Sequence, residues 1–250
     1  MGRQLLKTYG RLAKADQTNM FGESPGSKGI EDQLKFTLTE TNPDKYIAEL
    51  KGLINGCTRC SLGKAAREKN DQSVLSRGST KAQVMVVAEA PAREELVMGV
   101  PLCGPSGKVW HGMLADAGID AENKLYQTNS LMCRVNKTDT SRLKEQLHAC
   151  APYVEHQLYV IKPRFLLALG KTAMDRLGVP AGQSPLDEDL TIFHYQKIPG
   201  TWIAHPAYIL RNMESRPTYV DKLIRLKKYL LDTYNIDLSL PKVVEELEEL

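Results

Sequence analysis

The stretch Gln83-Val84-Met85-Val86-Val87-Ala88, closed by Glu89-Ala90-Pro91-Ala92, decides the fold. A short run that is apolar at nearly every position suits a strand covered on both faces, and the proline turn behind it marks where the strand stops. Arg164-Phe165-Leu166-Leu167-Ala168-Leu169 has the same character. Two further candidates, Leu125-Tyr126-Gln127-Thr128-Asn129 and Thr201-Trp202-Ile203-Ala204-His205, are more mixed. Helical stripes lie between them: Val109, Met113, Leu114 and Ala117, then Leu143, Leu147, Tyr153, Val154, Leu158 and Ile161, then a short one at 173–177. Strands alternating with helices predict an α/β fold with a parallel sheet and helices on both faces. Ligands of such sheets sit at the carboxyl ends of the strands. Upstream, Asn42-Pro43 caps and opens a helix carrying Tyr46, Ile47, Leu50, Leu53 and Ile54, which Asn55-Gly56 ends. Residues 57–79 read as polar and irregular. A last helix is expected over 218–234, with Leu223, Leu226, Tyr229 and Leu230 inward and Lys222, Arg225, Lys227 and Lys228 outward.

The chain has 250 residues, of which 42% are hydrophobic and 25% charged, enough for one sizeable core. The expected division is a flexible extension at 1–42, one domain at 43–240 and an acidic tail at 241–250, the two ends being candidate contacts for other proteins. Thirty-three Lys and Arg against 30 Asp and Glu give +3, too mild by itself to indicate a nucleic-acid partner. The part at 43–240 carries +5. No apolar stretch nears the roughly 20 residues that span a bilayer, so no membrane association is expected. Met1-Gly2-Arg3-Gln4-Leu5-Leu6-Lys7 has no apolar signal region, and a cytoplasmic monomer is expected. Five cysteines, an odd number, do not make a secreted disulfide framework.

Cys57-Thr58-Arg59-Cys60 is a CxxC behind a helix end. A redox pair wants a helix N-terminus in front of it, which weakens that reading. Zinc and iron–sulfur sites both remain, with Cys133 and Cys150 as further ligands. One close pair plus two separated cysteines fits a [4Fe–4S] cluster better than structural zinc, and the plain alternative is that Cys133 and Cys150 are buried small apolar residues. At the strand ends, Glu89 can polarise a water, Asn129 can read an amide edge as donor and acceptor, and His205 can donate to a developing anion. Each alone is more often structural. Gly99-Val100-Pro101-Leu102-Cys103-Gly104-Pro105-Ser106-Gly107-Lys108 opens a helix whose N-terminus attracts phosphate, but it lacks the P-loop spacing.

Taken together these motifs resemble the uracil-DNA glycosylase superfamily, in particular its iron–sulfur branch, family 4, which includes bacteriophage DNA-polymerase-associated domains. Cys57 and Cys60 match its CxxC. Residues 88–92 and 99–107 match GExPG and GRPFxGxxG, residues 128–133 match TNxxKC, 169–173 match LGxxA, and 205–211 match HPxxLLR. The resemblance implies a three-layer α/β/α sandwich around a four-stranded parallel sheet. It implies that uracil or a related deaminated base is flipped out of DNA and its N-glycosidic bond hydrolysed. Glu89 and His205 are then catalytic, and Asn129, Leu102 and Ala90 hold the base. Gly104, Ser106, Gly107, Leu210 and Arg211 meet DNA. Cys57, Cys60, Cys133 and Cys150 hold a structural [4Fe–4S] cluster, and Cys103 stays outside the set. The sequence departs at Leu102, where the family has a stacking Phe, and at Ala88 and Ala92, where GExPG has glycines. Base–aromatic stacking contributes about 1–3 kcal/mol, so a weaker hold on uracil is expected. The competing reading is a non-catalytic iron–sulfur DNA-binding accessory of replication or repair that keeps the fold.

Overall fold

Helix α1 (Pro43–Asn55) starts as the sequence dictates: the Asn42 side chain accepts from the N–H groups of Asp44 and Lys45 at 3.0 and 3.2 Å, and Pro43 takes a position where no donor is needed. The computed structural model describes residues 42–135 and 141–241. The extension expected at 1–42 and the tail expected at 241–250 therefore fall outside the described residues, save Asn42 and Pro241. The elements that follow are α2 (Ser61–Glu68), β1 (Ser76–Gly78), β2 (Val84–Ala88), α3 (Arg93–Met98), α4 (Pro105–Asp116), α5 (Ala121–Lys124), β3 (Leu125–Asn129), α6 (Leu143–Ile161) and β4 (Phe165–Leu169). Then come α7 (Gly170–Arg176), β5 (Phe193–Tyr195), β6 (Ile198–Ile203), α8 (Pro206–Arg211), a 3-10 turn (Met213–Ser215) and α9 (Arg216–Tyr234).

The strands form one sheet in the order β1-β3-β2-β4-β6-β5. The inner four are parallel, as expected, with Val87 opposite both Thr128 and Ala168, and Leu169 opposite Ile203. The sheet has six strands rather than four, because β1 and β5 add antiparallel edges of three residues each. Every residue of β2, β3 and β4 is buried, since helices cover both faces. On one face Trp110, Met113 and Leu114 of α4, Ile209 of α8 and Leu223, Leu226 and Leu230 of α9 pack on Val84, Val86, Phe165 and Leu167. Across the sheet α1 packs on α6, and the Tyr126 hydroxyl of β3 donates to Gln157 of α6 at 2.9 Å. The result is the three-layer sandwich.

Three local expectations are corrected. The segment 57–79 is not irregular: it holds α2 and β1. Strand β6 begins at Ile198 and ends at Ile203, so His205 follows the strand and caps α8. Lys222 faces inward at 2% exposure, because its amine reaches the Asp187 carbonyl at 2.5 Å; burial lowers its pKa to about 8. Among the described residues no helix is long and apolar enough to cross a membrane.

Candidate active site

The carboxyl ends of the inner strands bring the three predicted polar groups to one rim. Ala88 pairs with Asn129, and the turn after β2 is bound to the turn after β3: Ser130 gives both its N–H and its hydroxyl to the Ala88 carbonyl at 2.8 and 2.7 Å, and the Leu131 N–H donates to the Glu89 carbonyl at 3.0 Å. Glu89 is half-buried there, as is Ala90. Asn129 is 2% exposed, and its Nδ2 has no hydrogen-bond partner among the described residues. Buried polar groups are nearly always partnered, so the Asn129 Nδ2 is a candidate for a contact with a ligand. His205 lies beyond β6, three strand spacings from β3, roughly 14 Å at about 4.8 Å per spacing.

The orientation of His205 follows from two neighbours. Its Nδ1 accepts the Ala207 N–H at 3.1 Å, which places the proton of the neutral ring on Nε2. Gly170, at the end of β4, has φ +77°, and a Cβ there would lie 2.7 Å from the Cβ of His205. The glycine of Leu169-Gly170 is thus what lets the histidine turn approach β4.

The segment between α3 and α4 closes the rim. Leu102 is 2% exposed and holds φ +54°, a left-handed conformation that costs a branched side chain roughly 1–2 kcal/mol. Glu95 enforces it. Its carboxylate accepts from the Leu102 N–H at 2.5 Å and from the Ala92 N–H, with Cys103 N–H nearby. Burial raises the Glu95 pKa while these backbone donors oppose the rise. Glu95 was not among the residues that sequence reading singled out; its one signal is its place three residues after the cap, at capping-box spacing but without the usual Ser or Thr. Gly107 is buried against this turn: a Cβ on it would sit 2.0 Å from the Leu102 carbonyl oxygen. Gly104 is buried as the cap of α4, and Ser106 is half-buried, so the two glycines act here through packing. Leu210 and Arg211 are exposed at the end of α8, with Met213 exposed beside them.

The four predicted cysteines meet elsewhere, around one small pocket lined also by Ile54, Leu62, Leu131, Met132 and Tyr153. Cys57 follows α1, Cys60 caps α2, Cys133 follows β3 and Cys150 lies in α6. The CxxC therefore does stand before a helix N-terminus, which sequence reading missed together with α2. None is in a disulfide, and Cys133 and Cys150 are buried. Cys150 Sγ accepts the Met132 N–H at 3.4 Å, and Ser73 Oγ contacts Cys133 Sγ at 3.4 Å. Burial pushes the Cys150 thiol up to about 12. Among the described residues no three His, Cys, Asp or Glu gather closely enough to grip a single metal ion. Cys103 lies apart, in the Leu102 turn.

Residues 75–226 match the family model of the Uracil DNA glycosylase superfamily. The chain is similar to the type-4 uracil-DNA glycosylase of Archaeoglobus fulgidus, 36% identical over 121 residues, 48% of this chain and 57% of that protein. It is similar to that of Pyrobaculum aerophilum at 32% over 136 residues, 53% of this chain and 66% of that protein. Against the type-4 enzyme of Thermotoga maritima identity is 26% over 188 residues, 71% of this chain and 91% of that protein. The chain thus spans less than two thirds of the first two relatives. With a family match running from the β1 edge into α9 across more than half its length, the chain belongs to the uracil DNA glycosylase superfamily.

Proposed function

We propose that this protein is a DNA glycosylase that takes uracil, or a related deaminated base, out of DNA and hydrolyses its N-glycosidic bond in base-excision repair. The observation that carries the reading is the buried, unpartnered Asn129 amide on the rim shared by Glu89 and His205. Asn129 reads the amide edge of the flipped base. Glu89 orients a water toward C1′ and takes up its proton. As the new C–O bond forms, the bond to the base breaks, and its electron pair leaves on the base. His205 donates from Nε2 to the developing oxyanion; one such donor is worth about 10²–10³ in rate. Leu210 and Arg211 fill the space the base has left.

The cysteine pocket supports a [4Fe–4S] cluster held by Cys57, Cys60, Cys133 and Cys150. Single zinc with Zn–S bonds of about 2.3 Å needs sulfurs roughly 3.8 Å apart. The four sulfur donors lining one pocket are the all-thiolate set that an iron–sulfur cluster takes. Such a group ties α1, α2, α6 and the segment behind β3 together.

The test is a uracil-containing oligonucleotide followed by alkali. Strand breaks at uracil are expected from the wild type, and rates about 10²–10⁴ lower from Glu89→Gln. Absence of breaks with both single- and double-stranded substrate overturns the reading. It then favours the non-catalytic DNA-binding alternative, for which the specific observation is Leu102, an aliphatic side chain packed into the core where the resemblance puts an aromatic face.

A further inference from the structure

We propose that Arg176 is a positioning residue that sets a half-buried positive charge against the sulfur-bound group at Cys150 and clamps that region to the base-reading end of β3. The inference rests on the cluster reading above and concerns this chain's own side chain. Arg176 is the last residue of α7. Its Nη2 donates to the Leu147 carbonyl, three residues before Cys150 on α6, and to the Ser130 carbonyl at 3.4 Å, the residue directly after Asn129. Its Nε is shielded from solvent and has no hydrogen-bond partner among the described residues.

No carboxylate forms an ion pair with Arg176 among the described residues. Glu155, the nearest acidic group that acts on it, is engaged by the Tyr195 hydroxyl and by Gln196 Nε2. A guanidinium does not lose its proton in a protein, and leaving one poorly hydrated without an anion costs several kcal/mol. Cys150 stands first among the groups whose charge acts on it. Metal ligation requires thiolate, so four ligating cysteines bring the countercharge that Arg176 lacks.

The same guanidinium lies where the two sites meet. The segment from Asn129 to Cys133 is held at Asn129 by pairing with Ala88, at Ser130 by Arg176, and at Met132 by the Cys150 sulfur. Arg59 makes a related contact, its Nε donating to the Ala149 carbonyl at 3.1 Å, but this residue lines the pocket itself and reaches no strand end. Only Arg176 among the described arginines bonds both to the cysteine-bearing helix and to the turn after Asn129.

The experiment uses the full chain purified without oxygen, with Arg176→Met, which keeps the stem and removes the charge, and Arg176→Lys, which keeps the charge and removes the fork. Iron content, visible absorption and reduction potential by protein-film voltammetry are read on all three. Cluster potentials respond to local charge, so the potential serves as a probe of the charge beside the sulfur. Arg176→Met is expected to move the potential to more negative values, and Arg176→Lys to stay near the wild type in potential. On uracil-containing oligonucleotide, both variants are expected to raise KM several-fold through the lost Ser130 clamp. An iron-replete Arg176→Met with unchanged potential overturns the proposal. If Arg176→Met does not retain iron, Arg176→Lys decides: wild-type iron and potential support the proposal, and a loss equal to that of the methionine variant overturns it. Wild-type protein that carries the cluster and responds in potential, yet releases no uracil, overturns the glycosylase reading and leaves the role of Arg176 in place. Wild-type protein without iron overturns the cluster reading and, with it, the role of Arg176.

Discussion

The rim at Asn129, the proposed base site, and the cysteine pocket lie four residues apart along the chain, at Asn129 and Cys133, and are built by opposite means. The first is made of strand ends, two glycine-permitted close approaches and a polar amide left without a partner. The second is made of helix ends, apolar side chains and sulfurs that each find a weak donor or a pocket wall. An unpartnered buried donor costs about 1–3 kcal/mol, which a ligand recovers. Under the proposed function the Asn129 rim therefore carries a stability cost that a bound base recovers, whereas a group held by the four cysteines ties α1, α2 and α6 to the segment behind β3. Substitutions in the two regions are expected to separate stability from function.

The largest effect comes from pairing one variant of each kind. Cys150→Ser is expected to lose iron and visible absorption and to destabilise by more than about 4 kcal/mol, roughly 10 °C in Tm. Asn129→Ala is expected to keep iron and to hold or slightly raise Tm, because the orphaned amide is gone, while base release falls about 10²–10³. Thermal denaturation and the alkali cleavage assay on the same preparations read both. If Asn129→Ala loses as much Tm as Cys150→Ser, the contrast between the two pockets does not hold.

The next effect tests the glycine that seats His205. Gly170→Ala puts an L side chain at φ +77° and a Cβ 2.7 Å from the Cβ of His205. Backbone strain of roughly 1–2 kcal/mol and overpacking of about 1–3 kcal/mol predict a loss of about 2–5 kcal/mol. Gly182→Ala is the control: its φ is +89°, but nothing lies within 4 Å, so only the backbone part is expected. Equal losses in urea denaturation would remove the argument that Gly170 positions the histidine.

A smaller effect is expected in the base pocket at Leu102. Leu102→Phe supplies an aromatic face, and stacking worth about 1–3 kcal/mol predicts free uracil inhibiting about 5- to 150-fold more tightly. Leu102 is packed in the core, so part of that gain is offset by overpacking, seen as a lower Tm. An unchanged inhibition constant would mean that this position does not touch the base.

The rim was legible because strands buried on both faces leave unbroken apolar runs at 84–87 and 165–169, and because polar residues that end such runs stand out. Asn42-Pro43 was legible as a helix start because cap and proline act locally. What stayed hidden depends on contacts far away in sequence. Strands β1 and β5 are three residues long, too short for an alternation, and exist because β3 and β6 offer free edges. Lys222 sits on a regular polar stripe and turns inward only because the Asp187 carbonyl lies within reach. Glu95 and Arg176 look like ordinary surface charges until the turns at Leu102 and Ser130 are folded against them.

The smallest effect at neutral pH places acid sensitivity on the cysteine side. His156, on α6 six residues after Cys150, is paired through Nδ1 with the Tyr46 hydroxyl of α1, the helix that leads to Cys57. Burial lowers its pKa from 6.5 to about 4. Between those values the unfolded chain binds a proton that the folded one refuses, so stability is full above pH 6.5 and falls as the pH drops toward 4. His156→Gln keeps an acceptor for the tyrosine and cannot titrate. At pH 7 the two proteins are expected to differ little in urea midpoint. Between pH 6.5 and 4 the wild type is expected to lose stability more steeply, and the variant to follow a flatter line. Parallel lines across that window would show that the α1–α6 seam does not carry this proton, and would move the acid response away from the cysteine pocket.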